Sequence, residues 1–195
     1  MPITEAELLK TYTGAATHNA AQADPDASLG GHSSSSEIGT GDENLFDNIS
    51  GAEAAEADYT DYRCIVFENT DPLLTLTDAK VYVSDDDLNA DTTYYLCLER
   101  PQTNLETGAA QTIGDEDTAP DITNATYHTT GSWTASASCA DYANGLVVGP
   151  LDSTGTTGLL PAELIFVWIK RVIAVDASAA ADVTFTVTLQ GDTAA

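Results

Sequence analysis

The stretch Leu164-Ile165-Phe166-Val167-Trp168-Ile169-Lys170-Arg171-Val172-Ile173-Ala174 is apolar nearly throughout, and shortly after it Val183-Thr184-Phe185-Thr186-Val187-Thr188-Leu189 alternates without exception. A run apolar at both parities predicts a central strand covered on both faces. Strict alternation predicts a strand with one buried face (Val183, Phe185, Val187, Leu189) and one solvated threonine face. The two are expected to pair as a hairpin across Val175–Asp182, with the closing Gly191-Asp192-Thr193-Ala194-Ala195 following the last strand directly.

Upstream, the same reading recurs. Tyr62-Arg63-Cys64-Ile65-Val66-Phe67-Glu68-Asn69 is rich in β-branched and aromatic residues and ends at Asn69-Thr70-Asp71-Pro72, a turn signal. Leu74–Thr77 alternates, Ala79–Ser84 alternates again, and Thr92–Leu98 makes another strand that stops near Pro101. Residues 101–160 are polar and broken by Gly, Pro, Asp and Thr; they are read as long loops with short strands at Ala125–Thr130 and Leu146–Val148. Helical periodicity is nearly absent. The fold class predicted is mostly β, an antiparallel β-sandwich of jelly-roll or Ig-like type over residues 51–195.

Residues 1–50 read differently. Thr4 with Glu7 three residues on is a capping-box pair and predicts a short helix through Lys10. Beyond it, Gly14, Asp24-Pro25-Asp26, Gly30-Gly31 and Ser33–Ser36 are turn formers with little to bury. An extended N-terminal arm is expected, one that gains order on a neighbouring molecule. Leu45, Phe46 and Ile49 form a first apolar patch near its end.

Charge bounds the function classes. There are 31 Asp+Glu against 6 Lys+Arg in 195 residues, a net charge of −25. Phosphate binding needs cations to displace condensed counterions, and anionic headgroups repel such a surface, so neither nucleic acid nor membrane is an expected partner. Three origins for the acidity stay open: life in high salt, where screening removes self-repulsion and which the scarce lysine favours; cations such as Ca2+ bound between subunits; or an ordinary solvated acidic face. The Met1-Pro2-Ile3-Thr4-Glu5 start carries no basic region before an apolar stretch, which predicts folding in a cytoplasm without export.

Few residues point to chemistry. Cys64, Cys97 and Cys139 lack C-x-x-C spacing and His18, His32 and His128 stand alone, which argues against zinc. Cys64 and Cys97 lie in strand-like runs and are read as small buried hydrophobes. His128 with Cys139 is the one thiol–imidazole combination considered, and a separation of eleven residues does not place them together. Glycosidase-type carboxylate pairs want aromatic sugar platforms, yet Trp133 and Trp168 are the only tryptophans, and Trp168 sits in a core-like strand. No phosphate-binding glycine loop is present. The densest acidic cluster is Asp85-Asp86-Asp87 with Asn89 and Asp91; the second is Asp115-Glu116-Asp117 with Asp121. Asp85, Asp86, Asp87 and Asp91 are the candidate metal ligands, for Ca2+, weighed against solvated turns. No other cofactor is expected.

Several stretches together resemble a known group. They are Asp26–Gly31, Asn44–Ala54, Tyr62–Ile65, Leu74–Leu76 with Ala79–Val81, Pro161–Glu163 before Val167–Arg171, and Gly191–Ala194. From about residue 24 to the end the chain resembles small structural proteins encoded by tailed phages and prophages. The resemblance implies a β-rich virion component, and the acidity a virus of a salt-loving host. The expected function is non-enzymatic: a capsid decoration or cement protein, a homo-oligomer such as a trimer, partnered by the major capsid protein or other virion proteins. Alternatives are a tail, baseplate or vertex (turret) component, and, in another class, a carbohydrate-binding or calcium-dependent adhesion module.

Overall fold

The computed structural model describes residues 2–39, 45–47, 49–50, 58–86, 91–128, 131–149, 158–177 and 185–193. Among the described residues nine strands run in chain order: β1 (Leu8–Tyr12), β2 (Tyr59–Asn69), β3 (Leu76–Asp86), β4 (Thr92–Glu99), β5 (Thr134–Ala135), β6 (Leu146–Val147), β7 (Gly158–Leu159), β8 (Leu164–Ile173) and β9 (Phe185–Thr193). They form two antiparallel sheets: β1-β2-β8-β4-β5, and a second built on β3, with β6 and β7 pairing different parts of one edge of β3 and β9 pairing the other edge. The two sheets pack face to face as a β-sandwich, as the alternation predicts.

The double-sided apolarity of β8 has a plain geometric cause. Ile165, Val167 and Ile169 face the second sheet, where they meet Leu76, Val81, Val83, Val187 and Leu189. Leu164, Phe166 and Trp168 face the opposite way, into a second core with Tyr62, Cys64, Val66, Cys97 and Ile113. The five-stranded sheet is thus buried on both sides: by the other sheet on one, and by chain segments packed around Leu29, Ala110, Ile113 and Trp133 on the other.

Two expectations need correction. The two C-terminal strands do not form a hairpin. β8 already has β2 on one side (Cys64 opposite Trp168) and β4 on the other (Cys97 opposite Trp168), so it has no edge to offer. β9 pairs with β3 in the second sheet instead, Val187 opposite Val83 and Leu189 opposite Val81.

Nor do residues 2–39 form an extended arm. β1 pairs with β2 from Leu8 opposite Asn69 to Tyr12 opposite Ile65. Where β1 ends, the same segment continues to satisfy β2: the Ser28 carbonyl accepts from Cys64 N (2.8 Å), and Thr13 Oγ1 donates to the Cys64 carbonyl (2.8 Å). Thr13, Ser28, Ser33 and Ser34 are buried. The glycines here serve close approach rather than flexibility. Gly30 has φ +87°, and a Cβ on it would lie 1.8 Å from the Gln111 carbonyl oxygen. The capping box is present, Thr4 N donating to Glu7 Oε2 (2.7 Å), but the turn it starts is a 3-10 turn of three residues that gives way to β1.

The remaining elements follow the sequence closely. Leu74–Thr77 and Ala79–Ser84, read as two alternating runs, belong mostly to the single strand β3, which is irregular between Thr77 and Lys80 around Asp78 at φ +49°. Leu146–Val147 is a strand, whereas Ala125–His128 is a turn with one bridge, His128 to Glu99. Among the described residues no helix is long and apolar enough to cross a membrane.

Candidate functional site

Glu99 ends β4 as a fully buried carboxylate on the outer face of the five-stranded sheet. Its Oε2 accepts from Trp168 Nε1 (2.6 Å) and Gln111 Nε2 (3.4 Å), its Oε1 from Gln111 N (2.8 Å) and Gln102 Nε2 (3.0 Å). A buried carboxylate is tolerated only when its lone pairs are filled in this way. His128 lies beside it, Nε2 4.0 Å from Glu99 Oε2 and 3.0 Å from Gln111 Nε2, with Nδ1 3.6 Å from Cys97 Sγ. His128 has no thiol partner assigned by sequence, since its eleven-residue separation from Cys139 sets no distance. The structure brings it to Cys97, because the His128–Glu99 bridge sets it alongside β4.

Cys97, His128 and Glu99 have the composition of a nucleophile–base–acid set, but not its accessibility. Cys97 and Glu99 have no exposed surface and His128 has 4%. Burial is the largest influence on His128 and pushes its pKa down, against the upward pull of Glu99 and Asp121. Burial also pushes the Cys64 thiol well up, which keeps it protonated and unreactive. Cys64 and Cys97 both sit opposite Trp168 on the strands flanking it. Two strand spacings, roughly 9–10 Å, put them beyond disulfide reach. Cys139 is buried in the other core, between the sheets.

A second polar centre surrounds Arg63, which is fully buried in β2. Its Nη2 is 3.0 Å from Asp26 Oδ1 and closer still to Glu116 Oε2, and its Nε donates to the Leu45 carbonyl (3.0 Å). Arg171 of β8 forks onto Asp61 (Nε to Oδ1 3.0 Å, Nη2 to Oδ2 2.5 Å) and donates from Nη1 to the Asp47 carbonyl (2.8 Å). Both guanidinium carbons lie near the Phe46 ring, 5.8 and 4.7 Å from its centroid. Burial, with Glu116 beside it, pushes the Tyr59 hydroxyl up to about 12. Asp26, Asp47 and Glu116 have carboxylate oxygens within 4.8 Å of one another, the single such acidic group among the described residues. Arg63 already supplies positive charge there, so the cluster is an ion-paired clasp joining residues 26, 45–47 and 116 to the sheet. Sequence reasoning passed over both arginines. The signal was present: a cation inside a run read as buried requires a partner.

The first acidic cluster singled out from sequence, Asp85-Asp86-Asp87 with Asn89 and Asp91, lies largely outside the described residues. Asp85 and Asp86 end β3, their backbone opposite Thr186 and Phe185. Asp87 and Asn89 lie outside the described residues, and Asp91 precedes β4, its carbonyl accepting from Ala174 N (2.8 Å). In the second cluster the carboxylates close local turns or ion pairs: Asp115 accepts from Thr118 Oγ1 (2.6 Å), Asp121 from Thr123 N (3.0 Å), and Glu116 holds Arg63.

Comparisons of the chain with protein-family models, with curated proteins and with solved structures return no match.

Proposed function

We propose that this chain is a non-enzymatic structural protein of a tailed-virus particle, coating or cementing the exterior of the head. The observation that carries the reading is the location of the reactive groups. Cys64, Cys97, Cys139, Glu99 and His128 are all sealed in the interior, where Cys97 meets His128, Cys139 lies against the Ala135 carbonyl, and Glu99 accepts from the Trp168 and Gln111 side chains. A nucleophile or general base must reach its substrate; these groups serve packing and polar satisfaction instead. The sequence resemblance described above directs this structural role to a virus particle.

The folded leader changes how such a subunit holds its place. With residues 8–38 bonded to their own sheet, contacts with the capsid lattice come from the surface of a compact sandwich, not from an arm laid along it. The test is composition and position. Mass spectrometry of density-banded particles should find the chain in stoichiometric amount, and immunogold labelling should decorate heads. Gold on tails moves the protein to the tail or baseplate. Absence from purified particles overturns the reading.

A further inference from the structure

A groove of about 560 Å3 opens between the edges of the two sheets. One wall is Pro2–Glu5 with Leu8 and Lys10, Phe67 and Leu76 contribute apolar surface, and the other wall is β9, every residue from Thr186 to Thr193. Successive strand residues point to opposite faces. A surface touched by all eight therefore runs along the edge of β9.

The backbone on that edge is free to pair. In β3, Val83 N donates to the Cys139 carbonyl (2.9 Å), and the Ala79 carbonyl accepts from Val148 N (2.9 Å), so these residues direct their amides away from β9. Opposed residues of an antiparallel ladder exchange both hydrogen bonds or neither. Val83–Val187 and Val81–Leu189 are thus non-bonded pairs, and the N–H and C=O of Val187 and Leu189 point outward along the groove. Among the described residues β9 has no strand on that side.

We infer that this edge takes one extended segment of a separate, basic protein, added to β9 as a further strand. Main-chain bonds to Val187 and Leu189 supply affinity, and alternate apolar side chains of the guest settle against Ile3, Leu8 and Phe67. The eight residues of the wall span roughly 26 Å, room for a guest strand of about six to eight residues. Charge selects the guest. Glu5 and Asp192 are exposed at the groove and Lys10, half-buried, is its one cation. A second copy would bring another −25 to meet this one. A lysine- or arginine-flanked segment is attracted instead.

The probe is a fluorescein-labelled peptide alternating valine and threonine between two terminal lysines, added to the full chain at about 0.15 M salt. It should bind, and amide exchange by NMR should slow about tenfold or more at Val187 and Leu189, which exchange quickly in the free chain. Glu5→Lys and Asp192→Lys alter exposed side chains and should each weaken binding roughly two- to five-fold. The same peptide flanked by glutamates should bind less well, and one N-methylated at alternate amides should not bind. No binding, binding that leaves Val187 and Leu189 unprotected, or amides already protected in dilute free chain would overturn the inference. Concentration-dependent protection without peptide would also overturn it, by assigning the edge to a second copy.

Discussion

Gly30→Ala separates a packed leader from a flexible arm by the sign of its effect. In a flexible arm the substitution is neutral, or stabilises by about 0.4–1 kcal/mol by narrowing the unfolded ensemble. In this fold it is costly for two reasons. Gly30 sits at φ +87°, a region that charges an L side chain about 1–2 kcal/mol. The new Cβ would also lie 1.8 Å from the Gln111 carbonyl oxygen and 3.0 Å from Trp168 Cζ2. Backbone cannot swing aside like the end of a side chain, and this backbone is pinned by Gly31 N to the Gln111 carbonyl (3.2 Å), Ala110 N to the Gly31 carbonyl (3.0 Å) and Ile113 N to the Leu29 carbonyl (3.1 Å). Relieving the overlap should cost a further 1–3 kcal/mol or so, the usual range for overpacking. The sum, about 2–5 kcal/mol, is a large fraction of the ~5–15 kcal/mol that holds a domain folded. Urea unfolding followed by tryptophan fluorescence reports it through buried Trp168, at fixed salt and with m unchanged. Gly39→Ala is the control, because a Cβ there meets nothing within 4 Å. A Gly30→Ala midpoint equal to or above that of the parent would refute the packing of the leader.

Three further outcomes are expected. Glu99→Gln presents an amide NH2 where a carboxylate oxygen received two donors, and should destabilise by about 2–4 kcal/mol in the same urea assay; a loss below about 0.5 kcal/mol contradicts the network described. His128 has a folded pKa below its ordinary 6.5, so the unfolded chain takes up its proton first: the stability this group contributes is complete above 6.5 and is lost as pH falls through the folded value. His128→Gln should remove that slope from a stability–pH curve, and an unchanged curve counts against a buried neutral imidazole. Melting temperature should rise as NaCl goes from about 0.1 to 1 M, where the screening length shrinks from about 10 to 3 Å; a flat or falling curve excludes carboxylate repulsion as a significant strain on the fold.

How much could be read in advance depended on which interaction shaped each segment. Side-chain alternation is local, so β2, β4, β8 and β9 were legible to within a few residues. Pairing partners were not. The proximity of β8 and β9 in sequence suggested a hairpin, but whether β8 has a free edge depends on β2 and β4, which arrive from far along the chain. The leader was misread for a related reason. Gly14, Gly30, Gly31 and the Ser33–Ser36 run have the same composition whether they form a linker or pass close to another backbone. Only the position of Gln111 and Ala27 distinguishes the two. The Cys97–His128–Glu99 network likewise joins residues whose spacing says nothing about distance. Arg63 and Arg171 were different: their place inside apolar runs was a readable request for buried carboxylates, and Asp61, two residues before Arg63, was one of them.

The distribution of the six cations explains why the surface is more uniform than a net charge of −25 suggests. Arg63 and Arg171 are buried, and Lys10, Lys80, Arg100 and Lys170 are half-buried, so none is fully exposed. Lys80 and Lys170 each lie 5.0 Å from a tyrosine ring centroid (Tyr142 and Tyr95), and Arg100 donates to the Thr126 carbonyl (2.8 Å). Cations here are committed to internal structure, and the charge left facing solvent is overwhelmingly carboxylate. Two such surfaces cannot match opposite charges across an interface. Copies of this chain can therefore associate only where salt screens them or where apolar and backbone contacts dominate, whereas a basic partner needs neither condition. Raising salt should accordingly strengthen contacts between copies and weaken contacts with a basic guest. Sedimentation of the chain alone and with the lysine-flanked peptide, across one NaCl series, should show the two trends cross. If both move in the same direction, surface charge is not what chooses the partner.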